Sequence, residues 1–346
     1  MTDLSFLNQD LDEMFKLFAM YVVYLGMGHT LLCKTVKSRT IKSYVTDAAI
    51  AIQRRREAYA RAHPGISLSW FSPIRSHGDN KLAPPIVACL KDVHRWESME
   101  NRREPLTTDM IHFQKTLTSP STPHSLNQVL LDWWVAGIYG GFRKGEWAQD
   151  EHVKHRHQVR LTIDGKPVAF LIDDLEFYGE NRRRLSLSEA LRRPYLVRQI
   201  DLCWRFQKNG NNGEKKTFVR IGGGGSHTLC AVSALLRIAQ RWVDLGLARD
   251  HPLAVFTDDG SATGNVDFIR STHINEALRH AARVIYNVTD AADLSRFSSH
   301  SIRVGACVAL HAAGVQQQEI KFALRWRSDS FYTYLRNHQS RINFHM

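Results

Sequence analysis

One stretch constrains this chain more than any other: SSHSIRVGACVALHAAGVQQQEIKFALRWRSDSFYTYLRN, residues 298–337. Val304, Cys307, Val308 and Leu310 fall at helical spacing and form one apolar stripe. Ser298 or Ser299 is placed to cap that helix and Gly314 to end it, so the pattern predicts a helix of about four turns. Its first turn would set the His300 imidazole and the Arg303 guanidinium beside backbone N–H groups that no earlier turn can satisfy. Such an end suits an anion, and phosphate is the commonest. Beyond the polar Gln316-Gln317-Gln318, a second helical segment is predicted over residues 320–335, carrying Trp326 and Tyr334. A phosphate cradle followed by a tyrosine hydroxyl points to covalent chemistry on a phosphodiester.

The rest of the chain is compatible with that chemistry. Its 346 residues suggest two domains. A net charge of +12 favours a polyanionic partner, nucleic acid being the usual one. The five cysteines are scattered, odd in number and without C-x-x-C spacing, which argues against a disulfide framework or a zinc site and for a reducing, intracellular compartment. The first fifteen residues are acidic where a signal peptide would be basic, and the apolar run 18–27 is too short to span a bilayer, so no membrane role is indicated.

Taken in order, residues 4–30 place Leu4, Leu7, Leu11, Phe15, Phe18 and Val22 at helical spacing. Residues 31–62 then carry eight Lys/Arg against Asp47 and Glu57. There, Val45, Ala48, Ala49 and Ile52 can bury one helix face before Pro64, leaving a basic face suited to a DNA backbone. The candidate DNA contacts are Lys34, Lys37, Arg39, Lys42, Arg54, Arg55 and Arg56. Pro85 is placed to start a helix striped by Val87, Leu90, Val93 and Trp96. The polar stretch 97–105 reads as a linker, giving an N-terminal domain over 1–103 and a second over 104–346.

The second domain opens with helices. Thr107 or Thr108 caps one running to 117, and another covers 125–139, stopped by Gly140-Gly141 just before Arg143. From 159 to 222 the pattern turns to strands, at 161–163, 168–172 and 196–206, the last joined through Asn209-Gly-Asn-Asn-Gly213 to a returning strand at 217–221. Lys208 sits where the first arm meets the turn. Gly222–Gly225 lacks the Lys-Ser/Thr of a phosphate loop and reads as a connector. Helices at 229–245 and 274–286 flank a loop at 257–264. The fold class expected is mainly α (α+β), a helical DNA-binding domain followed by a helical catalytic domain with a small antiparallel sheet.

Arg143, Lys208, His300, Arg303, Trp326 and Tyr334 thus occur in one chain order, each in a suitable local setting. In this the chain resembles the tyrosine recombinases of the phage-integrase-like superfamily. Arg143-Lys-Gly-Glu146 matches the family's Arg-x-x-Glu/Asp, Lys208 its hairpin lysine and His300-Ser-Ile-Arg303-Val-Gly305 its His-x-x-Arg-x-Gly. Trp326 matches its His or Trp, and Tyr334 before Leu-Arg its nucleophile. The likeness spans about residues 104–340, and the segments around His300 and Trp326 look closest to recombinases of eukaryotic mobile elements of the Crypton kind. The N-terminal part resembles the family's helical core-binding domain only in size, helicity and charge.

The resemblance implies a site-specific recombinase or integrase that cuts and rejoins duplex DNA as a tetramer. Two guanidiniums would grip the non-bridging oxygens of the scissile phosphate, doing what a Mg²⁺ pair does in nucleases, with no metal or ATP expected. Trp326 offers an indole N–H, and His300 a hydrogen bond or a base. Tyr334 would form the 3′-phosphotyrosyl link and Lys208 would protonate the leaving 5′ oxygen, with Lys215 and Lys216 as alternatives. Glu146 would orient an arginine or histidine. Tyr332 and Tyr334 point to opposite sides of a helix, so only one can face the phosphate. Two other readings share these features: a type IB-like topoisomerase, and a domesticated element that binds DNA without cutting it. The expected location is the nucleus in a eukaryote, otherwise the cytoplasm or nucleoid.

Overall fold

Helices carry most of the described residues, as the periodicity predicts, and a four-stranded and a two-stranded antiparallel sheet interrupt them. The computed structural model describes residues 11–29, 36–65, 74–75, 81–96, 103–148, 165, 167–207, 212–221, 228–326, 332 and 335. The chain divides into two units, Met1–Glu100 and Asn101–Met346.

The first unit packs α1 (Leu11–Gly26), α2 (Ser38–Ala62) and α3 (Pro84–Trp96) around a core of their own. Met14, Phe18, Val22 and Leu25 recur every three or four residues on α1 and are buried. They meet Ile41, Val45 and Ala49 of α2 and Ile86 and Val93 of α3. Two expectations change here. The buried line of α3 passes through Ile86 rather than Val87, leaving Trp96 exposed. Arg56, placed by the sequence on the exposed basic face of α2, turns inward and is only 4% exposed.

The second unit begins with α4 (Thr108–Thr116), capped by the Thr107 hydroxyl, which accepts from the Met110 N–H. Next come α5 (Leu126–Gly140) and the single turn α6 (Lys144–Trp147). The sheet follows, from β1 (Leu175–Tyr178) and β2 (Arg184–Leu185), then α7 (Leu187–Arg192), then β3 (Gln199–Trp204) and β4 (Glu214–Val219). Its order is β2-β1-β3-β4, all antiparallel, with Phe177 opposite Ile200 and Ile200 opposite Phe218 on the face turned to the helices. After it come α8 (Ala231–Asp244), the hairpin of β5 (Val255–Thr257) and β6 (Val266–Phe268), α9 (Ser271–Tyr286), α10 (Ala291–Leu294), α11 (Ser301–Ala312) and α12 (Gln317–Ala323). The β3–β4 hairpin is present as predicted; the strand at 161–163 lies outside the described residues.

The strand expected at 168–172 does not form. The Asp174 carboxylate accepts the Leu171 N–H at 2.7 Å and Arg205 Nε at 2.6 Å, which closes a 3₁₀ turn over Ile172–Asp174 and removes a ladder donor. Pro194 likewise opens a 3₁₀ turn that delays β3 until Gln199. Neither Ser298 nor Ser299 caps α11. His300 holds the N-cap position, while Ser298 and Ser301 exchange bonds in the turn before it. Gly314, at φ +76°, ends α11 as expected, since Val315 N–H reaches back to Leu310. The helix predicted over 320–335 instead starts at Gln317, and Arg325, in the left-handed region at φ 56°, breaks it.

Close approaches fix α11 in this unit. A Cβ on Gly305 would stand 2.3 Å from the Leu106 carbonyl oxygen, and one on Gly137 of α5 would stand 2.6 Å from Ile302. Leu106 N–H also donates to Ser301 O, so the entry strand lies directly on the start of α11. Backbone cannot step aside as a side-chain tip can. Gly305→Ala is therefore expected to cost roughly 2–3 kcal/mol in urea unfolding, against about 1 kcal/mol for Gly314→Ala, where only backbone conformation is strained.

Candidate active site

The site is built at the C-terminal end of α5. Gly141, at φ +58°, closes that helix with its N–H on Gly137 O and turns the chain toward Arg143. A Cβ there would also meet Leu324 at 2.4 Å. Three residues on, Glu146 folds back: its carboxylate accepts the Arg143 backbone N–H at 2.9 Å and the Arg143 guanidinium at 3.1 Å. Arg143 remains about a quarter exposed, while Glu146 is buried.

A second guanidinium shares that carboxylate. Arg325 Nη2 donates to both oxygens of Glu146, at 3.0 and 3.3 Å, and its Cζ lies 3.7 Å from the Trp204 ring centroid. Trp204 belongs to an aromatic cluster with Phe142, Phe170 and Trp133, which stacks in turn on Trp147. The left-handed backbone of Arg325 directs its carbonyl to Arg143 Nη2, 3.3 Å away.

The third guanidinium comes from the first turn of α11. Arg303 is 2% exposed, and its Nη1 donates to Gly141 O at 2.5 Å and its Nη2 to Leu324 O. Its Cζ lies 4.6 Å from the Trp326 ring centroid. Beside it His300 is half-buried. Burial first, then the positive charges of Arg303, Arg103 and Arg143, push its pKa down to about 4, so the imidazole is neutral at physiological pH. A neutral imidazole in this position can accept a proton or a hydrogen bond.

Arg143, His300, Arg303, Trp326 and Glu146 are thus brought together, from segments up to 183 positions apart. Lys208 and Tyr334 lie outside the described residues. The two alternative lysines face opposite ways, as adjacent strand residues must. Lys215 is exposed and gives its ammonium to Glu176 at 2.7 Å. Lys216 is half-buried, and burial and then the positive charge of Arg325 lower its pKa. Tyr332 donates its hydroxyl to Gln317 Oε1 at 2.6 Å.

Sequence reading missed Arg325. Its signal was present in Leu324-Arg-Trp-Arg327, but nothing there marks which arginine turns inward. Among the described residues no cluster of three or more His, Cys, Asp or Glu side chains is placed to hold a metal ion, and no helix is long and apolar enough to cross a membrane.

In the first unit, Lys37, Arg39 and Lys42 are exposed at the start of α2 and line one groove with Lys91 and His94. Arg54 and Arg55 are also exposed, Arg56 is not, and Lys34 lies outside the described residues.

No family model matches the sequence, and no curated protein does. Among solved structures, the chain is similar to the Tn1549 transposon integrase (residues 82–397), determined in complex with circular intermediate DNA. The likeness covers 92% of this chain and 80% of that one, at 12% sequence identity and a TM-score of 0.42.

The depressed His300 pKa sets a pH dependence. The unfolded chain takes up this proton at about 6.5 and the folded chain only at about 4, so the stability attached to the neutral ring is complete above 6.5 and is lost as pH falls toward 4. His300→Gln removes the titration, and the stability difference between wild type and variant should shift by about 3 kcal/mol between pH 7 and pH 4, read by urea unfolding.

Proposed function

We propose that this protein is a tyrosine-type DNA strand-exchange enzyme, which cuts and rejoins duplex DNA through a covalent phosphotyrosyl intermediate. The observation that carries this reading is the meeting of Arg143, His300, Arg303 and Trp326 at the end of α5. The sequence order of these residues resembles that of tyrosine recombinases, and their shared chemistry is recognition of a phosphate.

The Tyr334 oxygen attacks the scissile phosphorus. A Tyr–O–P bond forms, the bond from phosphorus to the 5′ oxygen breaks, and the leaving oxygen takes a proton. Arg143 and Arg303 stabilise the charge on the non-bridging oxygens, and the Trp326 indole N–H adds a donor. Neutral His300 accepts the phenol's hydrogen bond or its proton. A lysine of the β3–β4 hairpin supplies the leaving-group proton. Lys208 is the residue that matches the family pattern, and the lowered pKa of half-buried Lys216 beside Arg325 supports that residue as the alternative. Because the phosphodiester's energy is kept in the covalent link, the free 5′ hydroxyl can reverse the step without ATP.

Arg303 is held in the free protein by the Leu324 carbonyl and the Trp326 ring. A phosphate oxygen is the stronger acceptor, so DNA entry exchanges Leu324 O for phosphate and shifts the 324–326 segment. The first unit, with Lys37, Arg39 and Lys42 around one groove, serves as a DNA-binding domain, and coordinated exchange of four strands calls for a tetramer.

A duplex nicked near the cleavage point traps the intermediate. Wild-type protein should form a denaturation-resistant DNA adduct and Tyr334→Phe none, while Arg143→Ala should slow adduct formation about 10²–10³-fold. Intact DNA binding with no wild-type adduct would refute the catalytic reading.

A further inference from the structure

At the other end of α5, 15 residues from the candidate active site, lies a cavity of about 250 Å³ between the end of α4, the start of α5 and one face of α8. Lys115, His124, Gln128, Arg237, Arg241 and Asp244 contribute to its wall. Beneath it Asp132, fully buried, accepts from Gln128 at 2.9 Å, Arg237 at 2.7 Å and Arg241 at 2.8 Å. The three cations outnumber Asp132 and Asp244, leaving one positive charge in excess.

Arg241 is the unusual member. It is 2% exposed, and its Nη2 is satisfied by Asp132 and by Pro123 O at 3.1 Å. Its Nε and Nη1 are buried without a hydrogen-bond partner, and so is Nδ1 of His124 on the same wall. A buried guanidinium with most of its donors unmet is costly; these atoms are closed to solvent, so a charged acceptor in the cavity relieves that cost as the side chain turns toward it. The start of α5 adds a second attraction. Ser125 makes no side-chain cap and the first turn holds no acidic residue, so the positive end of a 15-residue helix faces this region without a countercharge of its own. Burial first, and then the charge of Arg241, hold His124 below its ordinary pKa, against the opposing carboxylate of Asp244, 3.6 Å from its Nε2.

We infer that this cavity is a binding site for a small tetrahedral oxyanion, inorganic phosphate or the phosphate of a small phosphomonoester, with Arg241 as its buried anchor and Lys115 at its rim. The excess positive charge favours an anion over a water molecule, and the volume admits a phosphate with a short substituent but not a nucleic-acid strand. This site stands apart from Arg143 and Arg303 and does not depend on the DNA chemistry proposed above.

The test titrates sodium phosphate into the full chain at constant ionic strength while following the arginine Nε–H resonances. A saturable shift centred on Arg241 is expected. Lys115→Glu reverses a charge on an exposed rim residue and should weaken phosphate at least tenfold while leaving the phosphate-free melting temperature unchanged. Arg241→Gln should weaken phosphate at least tenfold, read from the saturable shift of the Arg237 Nε–H resonance on the same wall, and Lys115→Glu tests the site independently. Tighter binding of glycerol 3-phosphate than of phosphate would assign the phosphomonoester, and the reverse order the free ion. Shifts that spread over many arginines without saturating, or a Lys115→Glu affinity within twofold of wild type, would overturn the proposal.

Discussion

The buried carboxylate of Glu146 is the interaction on which the candidate site depends. It lies under two guanidiniums, Arg143 from its own turn and Arg325 from 179 positions later, and it also takes the Arg143 backbone N–H. A carboxylate in such a place is stable only while its partners stay, and each partner is buried or oriented only while the carboxylate stays. Trp204 closes the far side of Arg325, so the pair is walled by the aromatic core rather than by water. The result is a fixed position for Arg143, which keeps about a quarter of its side chain exposed.

Arg303 performs a different task with the same chemistry. It reaches Gly141 O before Arg143 and Leu324 O before Arg325 and Trp326, so one side chain ties α11 to both segments that carry the other candidates. Glycine makes this geometry possible twice. Gly137 lets Ile302 of α11 approach α5, and Gly305 lets the Leu106 backbone lie against α11. The His-x-x-Arg-x-Gly spacing is thus as much a packing requirement as a chemical one.

Much of this was legible in the sequence, for physical reasons. Helices with strong apolar stripes, α1, α2, α5 and α8, are where periodicity placed them, and Asn209–Gly213 marks the hairpin between β3 and β4. The mainly helical class with a small antiparallel sheet followed from these. What was not legible came from side chains overriding local pattern. Apolar residues 168–172 look like a strand, yet Asp174 takes the Leu171 N–H and folds them into a turn. Arg56 is a different case: it lies four residues after Ile52 and seven after Ala49, so the helical period itself carries it onto the buried face of α2, a signal hidden by the run of three arginines. Arg325 could not be told from Arg327 without the Glu146 carboxylate it meets.

The most direct measurement is mass spectrometry of the proteolysed covalent complex trapped on nicked DNA. A nucleotide phosphate is expected on the phenolic oxygen of Tyr334, joined through the 3′ end of the cut strand, with a free 5′ hydroxyl on the other product. A modified Tyr332, a modified serine or a link through the 5′ end would contradict it.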